Sequence, residues 1–165
     1  MDKTMRNAQR GAVEGACRVF GGETGNGGGR KLVAVYGTLM RGARNEPWRD
    51  GVPTVSEGVM EGILYDTGWG FPNFVPLKAC AGVRCEVLAT DDAGIAHMDV
   101  LEGYPDLYDR VPVRVKCDDG VVREALVYTL QDERRPDAVR RIMPNAAGIA
   151  DWREYRKGTL RLRRR

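Results

Sequence analysis

The clearest pattern along the chain is a set of short apolar, β-branched runs. KLVAVY (31–36) is closed by Gly37 and fits a buried strand feeding a tight loop. GVMEGILYD (58–66), VRCEVLAT (83–90), RVPVRVKC (110–117) and EALVYTL (124–130) alternate in the way that predicts a curved sheet or barrel. One helix is expected between them. It is capped by Asp91 or Asp92, runs through AGIAHMDVLE and stops at Gly103, just before Pro105. RPDAVRRIM (135–143) predicts a second helix. GWGFPNFVP (68–76), with its glycines, prolines and aromatics, reads as a structured surface loop beside a cavity. Strands interrupted by one or two helices, without regular strand-helix repetition, predict an α+β fold rather than a doubly wound sheet.

Composition narrows the chemistry. At 165 residues the chain is long enough for one domain with a real core. No apolar run approaches the roughly 18 residues of a membrane span, and the first residues lack the apolar segment of a secretory signal, so a cytoplasmic protein without a membrane partner is expected. There is one histidine, His97, and one serine, Ser56, so a Ser-His triad could use only that pair. Cys17, Cys80, Cys85 and Cys117 show no metal-binding spacing and read as reduced, mostly buried thiols. Residues 1–30 form a glycine-rich leader and 31–156 the domain. The closing WREYRKGTLRLRRR carries seven Lys or Arg, yet it is short and poor in aromatics. Its end, 157–165, therefore reads as a solvated basic tail, with no nucleic-acid partner expected. Nothing in the pattern indicates an oligomeric state.

Against this background Glu102 is out of place. Ile95, Met98 and Glu102 share one stripe of the expected helix, which leaves two readings from periodicity alone: a carboxylate that points inward, or a salt-bridged or solvated glutamate at a frayed helix end. It also lies in the last helical turn, where the negative end of the dipole and an apolar setting both raise its pKa. Asp99, one turn earlier, reads as a structural hydrogen-bonder. The loop Tyr36-Gly37-Thr38-Leu39 can bring backbone N–H groups together on one point, a nest for a carboxylate or phosphate. It matches neither a Walker loop nor a G-x-G-x-x-G turn.

VAVYGTLMRG (33–42), GILYDTGWGFPNFVP (62–76), MDVLEGYPDLYDRVPVRV (98–115) and ALVYTL (125–130) together resemble the γ-glutamylcyclotransferase-like, or AIG2-like, family over residues 31–156. The resemblance implies a small mixed β-barrel with peripheral helices. It implies that Glu102 is the catalytic acid/base, that Tyr36, Gly37, Thr38 and Leu39 wrap a γ-glutamyl head, and that Tyr108 and Tyr128 flank the cavity. Arg110 would be structural or touch substrate. Two departures stand out: Cys85 replaces a glycine common in relatives, and the leader has no counterpart.

The implied reaction is cyclisation of a small-molecule γ-glutamyl amine or peptide to 5-oxoproline with release of the amine, without metal or cofactor. Alternatives are a non-catalytic module binding a small carboxylate, and a pathway-specific enzyme that removes a γ-glutamyl group from an unusual amine. Loops 41–52 and 68–76 are expected to grip the leaving amine, with Trp48, Trp69 and Phe71 as candidate contacts.

Overall fold

A computed structural model of the chain describes residues 29–78, 81–134 and 139–162. Strand β1 (Lys31–Val35) is buried on both faces over its last three residues, because it runs through the centre of the sheet. It pairs antiparallel with β4 (Gly82–Thr90), with Val33 opposite Leu88, and parallel with β6 (Val122–Leu130), with Val33 opposite Leu126. β6 pairs antiparallel with β5 (Tyr108–Cys117), and β5 with β2 (Thr54–Asp66), where Met60 faces Val115. β2 also pairs with β4, Met60 opposite Val83. The order β2–β5–β6–β1–β4 thus returns to β2 and closes a five-stranded barrel, the mixed barrel expected from the sequence.

Closure depends on small residues in the long strand β2. A Cβ on Gly58 would lie 2.6 Å from Val115 Cγ1, so only glycine lets β5 cross so tightly there. Three short strands complete the sheet. β3 (Pro72–Pro76) pairs with the second half of β2, β7 (Arg140–Arg141) pairs with the end of β2, and β8 (Ile149–Ala150) runs parallel to β4.

Strand alternation sorts the apolar residues into two clusters. Ala34, Met60, Phe74, Val83, Cys85, Val87, Val115, Cys117 and Val127 belong to one, together with Tyr36. Val33, Val35, Leu88 and Leu130 join Ile95 and Met98 of helix α1 (Asp92–Glu102) in the other. Burying each of those two helical side chains contributes about 1.5–3 kcal/mol. Asp91 caps the helix by accepting from the Gly94 N–H at 2.9 Å, and Gly103, at φ 65°, ends it in the left-handed conformation. A second helix, α2 (Trp152–Leu162), is anchored by buried Trp152 and by a 2.7 Å hydrogen bond from Tyr155 Oη to Asp66.

Two expectations are corrected. Residues 72–76 are not loop but edge strand, where prolines cost no ladder hydrogen bond on the open side. Residues 140–141, expected in a second helix, pair as β7, while 135–138 lie outside the described residues. Cys85 and Cys117 are buried and free; Cys17 and Cys80 fall outside the described residues. No helix among the described residues is long and apolar enough to cross a membrane.

Candidate active site

A cavity of about 220 Å³ opens where the loop after β1, the end of α1 and the start of β5 meet. This volume suits a metabolite-sized group. Tyr36, Gly37, Thr38 and Leu39 line it, as do Glu102, Tyr108 and Tyr128, so these seven residues meet in one place.

The loop after β1 takes its shape from its neighbours. A Cβ on Gly37 would lie 2.7 Å from Pro72 Cγ and 2.9 Å from Pro72 Cδ, so the glycine lets this loop pack directly on the segment entering β3. The Gly37 carbonyl accepts from Met40 N–H at 3.1 Å and the Thr38 carbonyl from Asn45 N–H at 2.8 Å. Asn45 Nδ2 also donates to Thr38 Oγ1 at 3.1 Å. Among the described residues, the N–H groups of Gly37, Thr38 and Leu39 donate to no protein acceptor. They remain available to an anion in the cavity.

Glu102 is the one carboxylate in the lining. Burial alone pushes it from 4.5 up to about 7. Burial also raises the phenols around it: Tyr36, further by the charge of Glu102, and Tyr108, further by Tyr36 and then Glu102. Both stay protonated. Tyr36 Oη donates to the Tyr128 carbonyl at 2.7 Å.

Tyr128 ties the barrel to the helix that carries Glu102. Its hydroxyl donates to Asp99 Oδ1 at 2.6 Å, and that oxygen lies 3.5 Å from Arg110 Nε. The Arg110 guanidinium sits 4.1 Å from the centre of the Tyr104 ring. Asp99 is thus the structural hydrogen-bonder expected, and Arg110 belongs to the same network outside the cavity lining.

Of the aromatics placed on the amine side, Phe71 lines the cavity, and Trp69, 54% exposed, packs on it at 5.9 Å between ring centres. Trp48 does not reach the cavity; it packs on His97 at 5.0 Å.

A second polar cluster escapes the sequence pattern. Glu86, 1% exposed on β4, forms a buried ion pair with Arg49, itself in the 3-10 turn Glu46–Arg49, and accepts from Arg41 N–H at 3.0 and 3.2 Å. Arg153 of α2 reaches Glu86 at 3.3 Å and Glu57 at 3.3 Å. The carboxylate therefore pins the segment that follows the cavity loop. A glutamate inside the apolar run VRCEVLAT is the one signal that could have revealed it.

Comparison with known proteins agrees with this architecture. The family model described as gamma-glutamyl cyclotransferase, AIG2-like, matches residues 33–153, and the chain belongs to that family. A candidate gamma-glutamylcyclotransferase of Methanocaldococcus jannaschii is 27% identical over 131 residues, 76% of this chain and 98% of that one. An AIG2-like protein of Mus musculus has a similar fold at a TM-score of 0.56 and 24% identity, over 61% of this chain and 77% of that one. YkqA of Bacillus subtilis matches at a TM-score of 0.52 and 24% identity over 62% of this chain, which spans 36% of its length.

Proposed function

We propose that the protein cyclises the γ-glutamyl group of a small γ-glutamyl amine or peptide to 5-oxoproline and releases the amine, with Glu102 as general base and then general acid. The observation that carries this reading is that a lone carboxylate with a pKa near 7 lines the same metabolite-sized cavity as backbone N–H groups that, among the described residues, are unpaired.

In this reading the N–H groups of Gly37, Thr38 and Leu39 hold the substrate's α-carboxylate, and Glu102 receives its α-ammonium. Glu102 takes one proton from the ammonium. The freed amine attacks the γ-carbonyl carbon and closes a five-membered ring. As the tetrahedral intermediate collapses, Glu102 protonates the departing nitrogen and the γ-carbon–nitrogen bond breaks. The carboxylate so regenerated takes the ring nitrogen's second excess proton and passes it to the released amine, so both protons lost by the ammonium end on the amine and Glu102 returns to its starting state. No water is added across the bond, which is why the reaction counts as a transfer or elimination of the amine rather than a hydrolysis.

A carboxylate with a pKa near 7 suits both halves of this cycle, since it gives up and regains a proton at comparable cost. Holding nucleophile and carbonyl in a folded geometry supplies part of the roughly 7–11 kcal/mol available to oriented intramolecular reactions. Tyr108, Tyr128 and Phe71 exclude water around the reacting carbonyl.

The test is mass spectrometry after incubation with γ-glutamyl-alanine, γ-glutamyl-ε-lysine, glutathione and simple γ-glutamyl amines. Equal amounts of 5-oxoproline and free amine are expected from at least one. Glutamate in place of 5-oxoproline would mean hydrolysis and would contradict the mechanism. Tight binding of 5-oxoproline or glutamate without any turnover would favour a non-catalytic carboxylate-binding module.

A further inference from the structure

The cavity lining holds two charged side chains, Glu102 and Arg44. Taken with the cyclotransferase reading, on which the following rests, the γ-glutamyl head already has its charges matched: the α-ammonium at Glu102 and the α-carboxylate at the N–H groups of Gly37 to Leu39. The rest of that head is a neutral amide. Arg44 has no counterpart in it.

Nor, among the described residues, does Arg44 have one in the protein. Among the described residues its guanidinium makes no hydrogen bond, ion pair or ring contact, whereas Arg49, five residues on in the same segment, is held by Glu86. The backbone that carries Arg44 is nonetheless fixed, because the next residue, Asn45, bonds Thr38 through both its N–H and its side chain, at 2.8 and 3.1 Å. The side chain is exposed and reaches across the mouth: a Cβ on Gly70 would lie 3.8 Å from Arg44 Nη1. It therefore bridges the loop after β1 and the loop before β3. That is where the part of the substrate beyond the scissile amide must emerge.

We infer that Arg44 selects substrates whose leaving amine carries a carboxylate, as in γ-glutamyl α-amino acids and peptides, over those that release a neutral or cationic amine. A guanidinium matches a carboxylate bidentately, and a positive charge at the mouth repels a cationic leaving group. Because the site is open to solvent, the preference weakens as salt rises.

The experiment compares γ-glutamyl-alanine with γ-glutamyl-alaninamide, which differ only in that carboxylate. Calorimetric binding to the Glu102→Gln protein is expected to favour the acid by about tenfold or more, in line with a charge-assisted hydrogen bond. Adding Arg44→Gln should bring the ratio towards one, and Arg44→Glu should invert it. Equal affinities, an equal loss of both ligands in Arg44→Gln, or no measurable binding of either would overturn the inference; an equal loss would place Arg44 on the α-carboxylate instead. Turnover by the unmodified protein separates this from the reading beneath it. Release of 5-oxoproline at the same kcat/KM from both compounds would sink the selectivity and keep the cyclotransferase. Selective binding without 5-oxoproline from any substrate would do the reverse.

Discussion

Gly37 and Pro72 pack so closely that a methyl group on residue 37 would overlap the proline ring, at 2.7 Å from Cγ. The contact locks the loop after β1 to the segment entering β3, and both line the cavity. Gly37→Ala must push one of them aside, at the roughly 1–3 kcal/mol typical of overpacking. The variant is expected to fold with a lowered Tm and to lose at least tenfold in kcat/KM for 5-oxoproline release. Unchanged kinetics would mean that the loop's position does not matter to the reaction.

Tyr128→Phe removes the 2.6 Å hydrogen bond to Asp99 and leaves that carboxylate with Arg110. Hydrogen bonds to charged groups contribute about 1.5–3 kcal/mol, and the remaining partner offsets part of the loss. Urea denaturation should show a destabilisation of about 1–2 kcal/mol. Because the bond holds α1 one turn before Glu102, kcat should fall as well.

Glu86→Ala strips the partner from Arg49, which is 7% exposed, and the acceptor from the Arg41 N–H. Breaking a buried pair from one side costs about 3–5 kcal/mol. Glu86→Gln keeps an acceptor for Arg41 and should cost less. Denaturation midpoints of the two variants and the parent test that order, and midpoints equal to the parent's would show the pair to be dispensable.

Burial of Glu102 also predicts how stability responds to pH. The folded pKa, about 7, lies above the ordinary 4.5, so the folded state holds the proton more tightly than the unfolded one. Stability from this group is complete below pH 4.5 and declines as pH rises through 7. The interval corresponds to at most about 3 kcal/mol. Glu102→Gln should therefore raise Tm by several degrees at pH 8, with the gain vanishing near pH 4. Identical melting curves for the two proteins across that range would contradict the burial effect.

The cavity is legible in the sequence because its parts are local. A strand ending in Tyr-Gly-Thr-Leu, a helix stripe ending in Glu102 and a Gly103 stop each obey short-range rules. What escapes is set by distant pairing. The glycines and prolines of 68–76 read as a loop until Leu64 is placed opposite Phe74, which makes 72–76 an edge strand. The helical spacing of 135–143 yields, at its described end, to pairing of Arg141 with Tyr65. Glu86 looks like an ordinary strand glutamate until the 3-10 turn brings Arg49 over it from 37 positions away. Arg44 is one arginine among many in the sequence, and only the folded loop sets it at the cavity mouth.

If Glu102 moves the proton, the pH dependence of 5-oxoproline release follows its ionisation. For the unmodified protein kcat/KM should rise through about pH 7 as Glu102 ionises and becomes able to accept the ammonium proton. Glu102→Gln, with its fold verified by circular dichroism, should lose roughly 10²–10⁴-fold in rate and the acidic limb with it. A Glu102→Gln protein that keeps the parent's rate and the same limb would assign the chemistry to another group.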